Sequence, residues 1–255
     1  SDDFLPGSAP VYEDERAKSL AVRLSESPHS HILNELMNSS GGELTDESLR
    51  MAEVADHLLR DYRLGANNTY GLVSLDSSEV WINPFYQEIS SLYATLENDQ
   101  SVSGSPRVLG GANLIVEANS RALAPYLAGS AGRPVVLSAL GDLTFEGDFS
   151  WASKPEDAAR LVVMSAGETK FAEGMTLKSA TGDLVLSSRS DLSLNDVGLG
   201  VSREAVIRGM QDVSLVNSRI GADSMATVKA PRNLNVDGLT FSRSVSSILM
   251  EATTT

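Results

Sequence analysis

Apolar and polar residues alternate in short segments along the second half of the chain, and these segments recur at nearly constant spacing. Each segment opens with an acid or amide, followed by an apolar, a polar and an apolar residue, as in Asp191-Leu192-Ser193-Leu194. The opening positions are Asn113, Asp142, Glu168, Asp191, Asp212 and Asn233. Their successive spacings are 29, 26, 23, 21 and 21 residues. A repeat near 21 residues that keeps the same apolar positions in every copy is typical of a solenoid.

The alternation places one side of each segment inward and the other outward, as in a β-strand. Two further apolar segments recur in each repeat. One ends at Leu177, Leu199, Ile220 and Phe241, and the other surrounds Val163, Leu186, Ile207 and Val228. Three short strands per repeat predict a mainly β protein, a parallel and by default right-handed β-helix of six to seven coils.

The first 104 residues have a different pattern, and we expect them to form an acidic, α-helical cap on a solenoid domain spanning residues 105–255. Apolar residues at helical spacing predict helices over 12–24, 45–65 and 84–96. The second helix carries an apolar stripe that runs to Tyr62 and ends at Gly65. Val80 and Ile82 also match the repeat, with Glu79 in the acid position, so the cap is expected to rest on an extra first coil. Two longer spacings are explained by loops over 119–134 and 151–157.

Charge is distributed unevenly along the chain. Residues 1–100 contain 18 of the 34 acidic side chains but 6 of the 20 basic ones. An acidic surface argues against nucleic acid as a partner, since nucleic-acid binding needs a basic footprint. No apolar run reaches the 18 residues of a membrane span, so none is predicted. The chain has no cysteine, which excludes disulfides and thiolate metal sites.

Two groups of side chains are candidates for metal binding, and each has a simpler interpretation. The acid-or-amide column could be a calcium ladder, but Asp and Asn also favour the tight corner that starts a strand. His29, His31 and Glu35 could bind a metal, although an exposed pair on a short helix is the commoner arrangement. No nucleophile–base pair is present. The sequence therefore nominates no catalytic, cofactor-binding or metal-binding residue.

The alternative function to consider for a β-helix is that of an enzyme that degrades polysaccharides or of a carbohydrate-binding module. Such a groove needs clustered charges on an outward strand face. The outward positions are Ile115, Thr144, Lys170, Ser193, Ser214 and Asn235. They include no carboxylate and one cation, which argues against a cleavage site along the solenoid. If a small ligand binds, the helical part and the two insertion loops are the better places. An enzyme would lose activity when an insertion-loop carboxylate such as Asp148 or Glu156 is replaced.

Two of the repeats, Leu137-Ser138-Ala139-Leu140-Gly141-Asp142-Leu143-Thr144-Phe145 and Lys178-Ser179-Ala180-Thr181-Gly182-Asp183-Leu184-Val185-Leu186, resemble those of filamentous-haemagglutinin-like bacterial surface proteins. The resemblance covers roughly residues 108–249. It implies a secreted, elongated β-helix with a structural or adhesive role at the cell surface. It assigns no functional residue.

The last repeat ends at Leu249 and is followed by a short polar segment, so we expect an open strand edge at Ile248, Leu249 and Met250. Together these observations predict a non-enzymatic, extracellular structural protein that polymerises with its own copies through its ends into a filament, or that adheres to a cell-surface glycan or protein. The competing interpretation is a fragment of a longer solenoid, whose open edge is covered by further coils.

Overall fold

A computed structural model describes residues 60–65, 74–76, 107–128, 134–151, 154–157 and 160–252. Their strands form three sheets. Sheet A contains β1 (Tyr62–Leu64), β4 (Leu114–Val116), β6 (Leu143–Phe145), β9 (Thr169–Phe171), β12 (Leu192–Asn195), β15 (Asp212–Val216) and β18 (Asn233–Asp237). Sheet B contains β2 (Ser74–Asp76), β3 (Arg107–Gly111), β5 (Val135–Ala139), β8 (Leu161–Ser165), β11 (Leu184–Ser188), β14 (Glu204–Gly209), β17 (Met225–Ala230) and β20 (Ser247–Ala252). Sheet C contains β7 (Phe149–Ser150), β10 (Thr176–Lys178), β13 (Gly198–Gly200), β16 (Arg219–Gly221) and β19 (Thr240–Phe241).

The chain winds through sheets B, A and C in turn, and each strand pairs in parallel with the strand one coil later. Leu186 pairs with Ile207, and Leu194 with Leu215, in the register that the repeats predict. The prediction of a parallel β-solenoid is therefore confirmed. Among the described residues, five coils contribute a strand to all three sheets, the coil of β3 and β4 contributes to sheets B and A, and β20 follows the last of the five. The insertions hold a short helix, α1 (Ala124–Leu127), and a 3-10 helix (Pro155–Asp157).

The first end of the solenoid differs from the expected arrangement. Tyr62–Leu64 form a strand that pairs in parallel with Leu114–Val116, so the prediction that the second helix runs to Gly65 is wrong at this end. The strand places Asp61 beside Asn113 in the acid column, where Asp61 Oδ1 accepts the backbone N–H and the side-chain amide of Asn113. The predicted first coil at Glu79, Val80 and Ile82 lies outside the described residues. Ser74–Asp76 pair antiparallel with Arg107–Gly111 and close the first edge of sheet B. The other predicted helices and the rest of the 1–104 cap lie outside the described residues.

The core is a stack of apolar columns inside the solenoid. Side chains from consecutive coils lie directly above one another because the pairing is in register. Phe145 is fully buried and stacks on Phe171 with a ring-centroid distance of 5.4 Å. Phe149 continues the aromatic layer, 5.7 Å from Phe145. Phe171 and Phe241 are partly buried and pack against this core. A single coil could not bury these faces, so the stack is the folding unit.

Sheet B is buried on both faces, which the sequence analysis did not anticipate. Its outward side chains Val136, Val162, Met164 and Val185 are at most 1% exposed. The outward position is 7% exposed at Val206 and 40% at Leu249, in the last strand. The signal was present as unbroken apolar runs such as Leu-Val-Val-Met, which are typical of strands covered on both sides. Sheet A instead alternates buried and exposed residues.

The corner between sheets A and C needs a backbone conformation that few residues adopt. Asn119, Asp196 and Asn217 have φ values of 55°, 53° and 48°, and Gly174 and Gly238 have 75° and 65°. Glycine, asparagine and aspartate tolerate this left-handed region better than other residues. The corner therefore explains why these residue types recur between the two sheets.

Candidate functional site

The predicted assembly edge lies on β20, the last strand of sheet B. Ile248 and Met250 continue the inward columns of Ala226 and Val228, and Leu249 continues the outward column. Their exposed fractions are 48%, 37% and 40%, whereas Val228 one coil earlier is fully buried. The same columns that form the core therefore reach solvent here.

The other two sheets also end at this face. Val236 on β18 is 40% exposed, and Leu234 and Phe241 are partly buried against the core. We call the surface formed by β18, β19 and β20 the end face. Within the described ranges, no strand pairs with the outer edge of any of these three strands. The end face thus combines exposed apolar side chains with three unpaired strand edges.

The backbone of β20 presents specific groups to this open edge. Ser247 N–H donates to the Ser224 carbonyl in the preceding coil, 3.0 Å away. Alternate residues of a strand direct their backbone groups to opposite sides. In earlier coils, the equivalents of Ile248 donate to the following coil, as Leu161 N–H does to the Asp183 carbonyl at 2.9 Å. The N–H and C=O groups of Ile248 and Met250 therefore face outward along the sheet.

The acid-or-amide column forms a ladder of hydrogen bonds between coils at the corner before sheet A. Asn113 Oδ1 accepts the N–H of Asp142, and Asp142 Oδ1 accepts the N–H of Glu168, both at 2.9 Å. Asp191 Oδ1 accepts the N–H of Asp212 at 3.1 Å. The column therefore stabilises the corner before sheet A. Its hydrogen bonds go to the backbone of the next coil, and not to the residue's own backbone. In the part of the chain that the structure describes, no three acidic or histidine side chains form a group able to hold a metal ion.

Cations shift the titration of two ladder carboxylates. The Lys170 ammonium, 2.9 Å from Asp142 Oδ2, and the backbone N–H of Glu168 lower the pKa of Asp142. The Arg232 guanidinium, 2.7 Å from Asp212 Oδ1, lowers the pKa of Asp212. Both carboxylates are partly open to solvent, so these ion pairs keep the carboxylates charged to lower pH but contribute little to stability.

A second carboxylate that stabilises a corner, that of Asp183, was not predicted from the sequence. Asp183 is 4% exposed, and its Oδ1 accepts the N–H groups of Arg203 at 2.9 Å and Glu204 at 3.1 Å. Its Oδ2 lies 2.8 Å from Arg203 Nη2 and 3.6 Å from Arg160 Nη2. Arg160 also pairs with Glu204 at 3.1 Å. Asp183 lies outside the repeating acid column, which is why the pattern did not indicate it.

The two insertion-loop carboxylates chosen for the enzyme alternative have different surroundings. Asp148 Oδ1 accepts the N–H of Thr176 at 2.7 Å and its hydroxyl at 3.1 Å, so it holds the start of sheet C in the next coil. Glu156 lies exposed in the 3-10 helix Pro155–Asp157. Asp148 is therefore occupied by a structural role. The candidate metal ligands His29, His31 and Glu35 lie outside the described residues.

A shallow groove of about 530 Å³ runs along the solenoid where sheet C turns back to sheet B. Its floor is made of small residues from successive coils, and Trp151 lines one end. The floor and walls include Ser150, Ser179, Gly200, Gly221, Ser242 and Ser244. Trp151 is 3% exposed, so its ring face is not an open stacking platform. The lining also contains two charged side chains, Lys178 and Asp223, beside the serine hydroxyls.

No helix among the described residues is long and apolar enough to cross a membrane. Comparison of the chain with protein-family models, with curated proteins and with solved structures finds no match. The parallel β-solenoid architecture is therefore shown by the structure itself, and the resemblance to filamentous-haemagglutinin-like repeats stays a prediction.

Proposed function

We propose that this chain is a non-enzymatic structural β-solenoid that associates with its own copies through its end face. The proposal rests on the apolar columns of the core, which become exposed to solvent at β20. Ile248, Leu249 and Met250 are between 37% and 48% exposed on a strand whose outer edge pairs with no described strand. Apolar side chains beside open backbone groups form a template for pairing with another chain.

The rest of the described solenoid supports a structural role. Its polar side chains are engaged in holding successive coils together, as at Asn113, Asp142, Asp183 and Asp148. Side chains used in this way make a stiff rod whose stability depends on neighbouring coils. A rod of this kind suits an elongated surface or extracellular protein, which is the setting that the haemagglutinin-like repeats imply. A filament would need a second join at the other end, in addition to the end face.

The test is light scattering across a concentration series, combined with electron microscopy of the same samples. We expect the mean mass to rise with concentration and rods longer than one subunit to appear. The matched variant is Leu249→Lys, which adds a charge to the exposed edge without entering the core, and it should lower the association. Monomeric rods at every concentration would contradict the proposal.

The groove beside Trp151 favours a second candidate, a module that binds a glycan chain. Its lining offers serine hydroxyls and small residues over several coils. A glycan array followed by titration tests this candidate. Gly221→Trp would block the groove floor, whereas Ser193→Trp on the outer face of sheet A is the control. Binding that survives Gly221→Trp would exclude the groove as the site.

A further inference from the structure

We infer that two copies join tail to tail, with their β20 strands antiparallel and Leu249 of each copy on a two-fold axis. This inference rests on the proposed function and specifies its geometry. Sheet B already accepts an antiparallel strand at its opposite edge, where Ser74–Asp76 pair with Arg107–Gly111. A two-fold axis perpendicular to the sheet makes an antiparallel pair and keeps inward side chains inward in both copies.

The outward-facing backbone groups restrict the register of such a pair. Ile248 and Met250 must form the hydrogen-bonded pairs, because their N–H and C=O groups face the open edge. Centring the axis on Leu249 places Ile248 of each copy opposite Met250 of the other. It also places Leu249 opposite Leu249 of the second copy. Both contacts are apolar, and the inward ones extend the columns of Ala226 and Val228 across the join.

Charge favours the same register. Glu251 lies on the outward side of β20 and pairs with Lys229 of the preceding strand at 3.4 Å. With the axis on Leu249, Glu251 faces Ser247 of the second copy. Moving the axis to Met250 would place Glu251 opposite Leu249, burying a carboxylate against an apolar side chain. Moving it to Ile248 would remove Met250 from its apolar partner. Of the three registers, the one centred on Leu249 therefore gives the most favourable contacts between the two β20 strands.

The same axis also relates the other strands of the two end faces. It exchanges sheets A and C between copies, so β18 of one copy lies across from β19 of the other. Because β20 begins a further coil, these two strands stay about two strand spacings apart, on the order of 10 Å, and do not pair. The partly buried Leu234 and the exposed Val236 then face the region of Phe241. Within the described residues, this symmetric contact closes the β20 edge of each copy. This distinguishes the arrangement from head-to-tail stacking, in which β20 would meet β2.

Cysteine cross-linking tests the geometry directly, because the native chain has no cysteine. Leu249 would lie in a non-hydrogen-bonded pair, where the Cα atoms of opposed residues are about 4.5 Å apart. That separation is within the range that a disulfide accepts. Under mild oxidation we expect Leu249→Cys to give a covalent dimer on a non-reducing gel. Ser193→Cys, exposed on sheet A, should stay monomeric.

A charge exchange gives an independent readout. Leu249→Lys and Leu249→Glu should each weaken dimerisation about tenfold, because like charges would oppose each other across the axis. An equimolar mixture of the two variants should recover a heterodimer, measured by light scattering. Circular dichroism confirms that each variant is folded.

The outcomes separate the inference from the proposed function. Association of the unmodified chain without a Leu249→Cys cross-link and without recovery in the mixture would overturn the tail-to-tail geometry but leave self-association standing. Monomers of the unmodified chain at all concentrations would overturn both. A cross-linked dimer with recovery in the mixture supports both.

Discussion

Replacing Asp183 by alanine should destabilise the solenoid more than any other single change of a polar side chain described above. The substitution removes the acceptor of two backbone N–H groups, those of Arg203 and Glu204, at a corner where the carboxylate is 4% exposed. A hydrogen bond to a charged group contributes about 1.5–3 kcal/mol. Two such bonds, taken at the lower end, give a loss of about 3 kcal/mol in the free energy of unfolding.

The ion pairs of Asp183 add little to this figure. The Arg203 side chain is 72% exposed, so solvent screens its attraction to the carboxylate. Arg160 keeps its contact with Glu204 when Asp183 is removed, so no buried charge is left without a partner. The loss of stability should therefore follow from the two backbone bonds.

Asp183→Asn separates these contributions. The amide oxygen can still accept both N–H groups, while the charge is lost, so the expected cost is about 1 kcal/mol. Urea unfolding followed by far-ultraviolet circular dichroism measures each variant, with Asp237→Ala on the exposed β18 as the control. Equal losses for Asp183→Ala and Asp183→Asn would refute the reasoning, because the charge and not the backbone bonds would then dominate.

Three further predictions concern the core, a corner and the ladder. Phe145→Ala should lower the free energy of unfolding by about 3–5 kcal/mol, since the ring is fully buried in the aromatic layer. Gly238→Ala should cost about 1–2 kcal/mol, because φ is 65° there and an added Cβ would lie 2.5 Å from Asn217 Oδ1, whereas Gly200→Ala, with 3.6 Å to its nearest neighbour, should cost little. The pKa of Asp142 is lowered by Lys170, so its contribution is complete above the ordinary value of 3.8 and is lost as pH falls further. Asp142→Asn should therefore flatten the acid side of the stability curve while keeping the ladder bond.

Each of these has an outcome that would contradict it. A loss below about 1 kcal/mol for Phe145→Ala would show that the core refills the cavity. Equal effects at Gly238 and Gly200 would show that the left-handed corner is not strained by a side chain. An unchanged acid profile for Asp142→Asn would mean that other carboxylates control the pH dependence.

The register between coils could be predicted from the sequence, because residues that pair in neighbouring coils are separated by the repeat length. Leu186, Ile207 and Val228 stand 21 residues apart and stack in consecutive strands. The burial of one face and exposure of the other in sheet A followed from simple alternation. These features are local and periodic, so a single sequence contains them.

The first end of the solenoid could not be predicted in the same way. Tyr62 fits an apolar helical stripe, yet it joins a strand 52 residues away, at Leu114. That pairing depends on an edge that exists only after the later coils have formed. Tertiary context therefore overrides the local pattern here.

The candidate site was predictable in part. The repeat pattern located Ile248, Leu249 and Met250 on the last described strand, where they are exposed, and their use as an assembly edge stays a prediction. The direction of its backbone groups and the antiparallel strand at the other edge of sheet B required the three-dimensional register. The groove beside Trp151 also escaped notice, because its lining comes from small residues that have no distinctive spacing signature.

The constant register of the later coils has a consequence for changes in length. Between β11 and β17 every pairing joins residues 21 positions apart, as with Ser187 and Arg208 or Gly198 and Arg219. Deleting residues 190–210 would therefore remove one coil and bring Leu184 beside Ala226, with each column intact. Duplicating the same 21 residues would lengthen the rod by one coil, about 4.8 Å. Such a chain can change its reach by whole coils during evolution or engineering, whereas an insertion of a different length must be looped out at a corner.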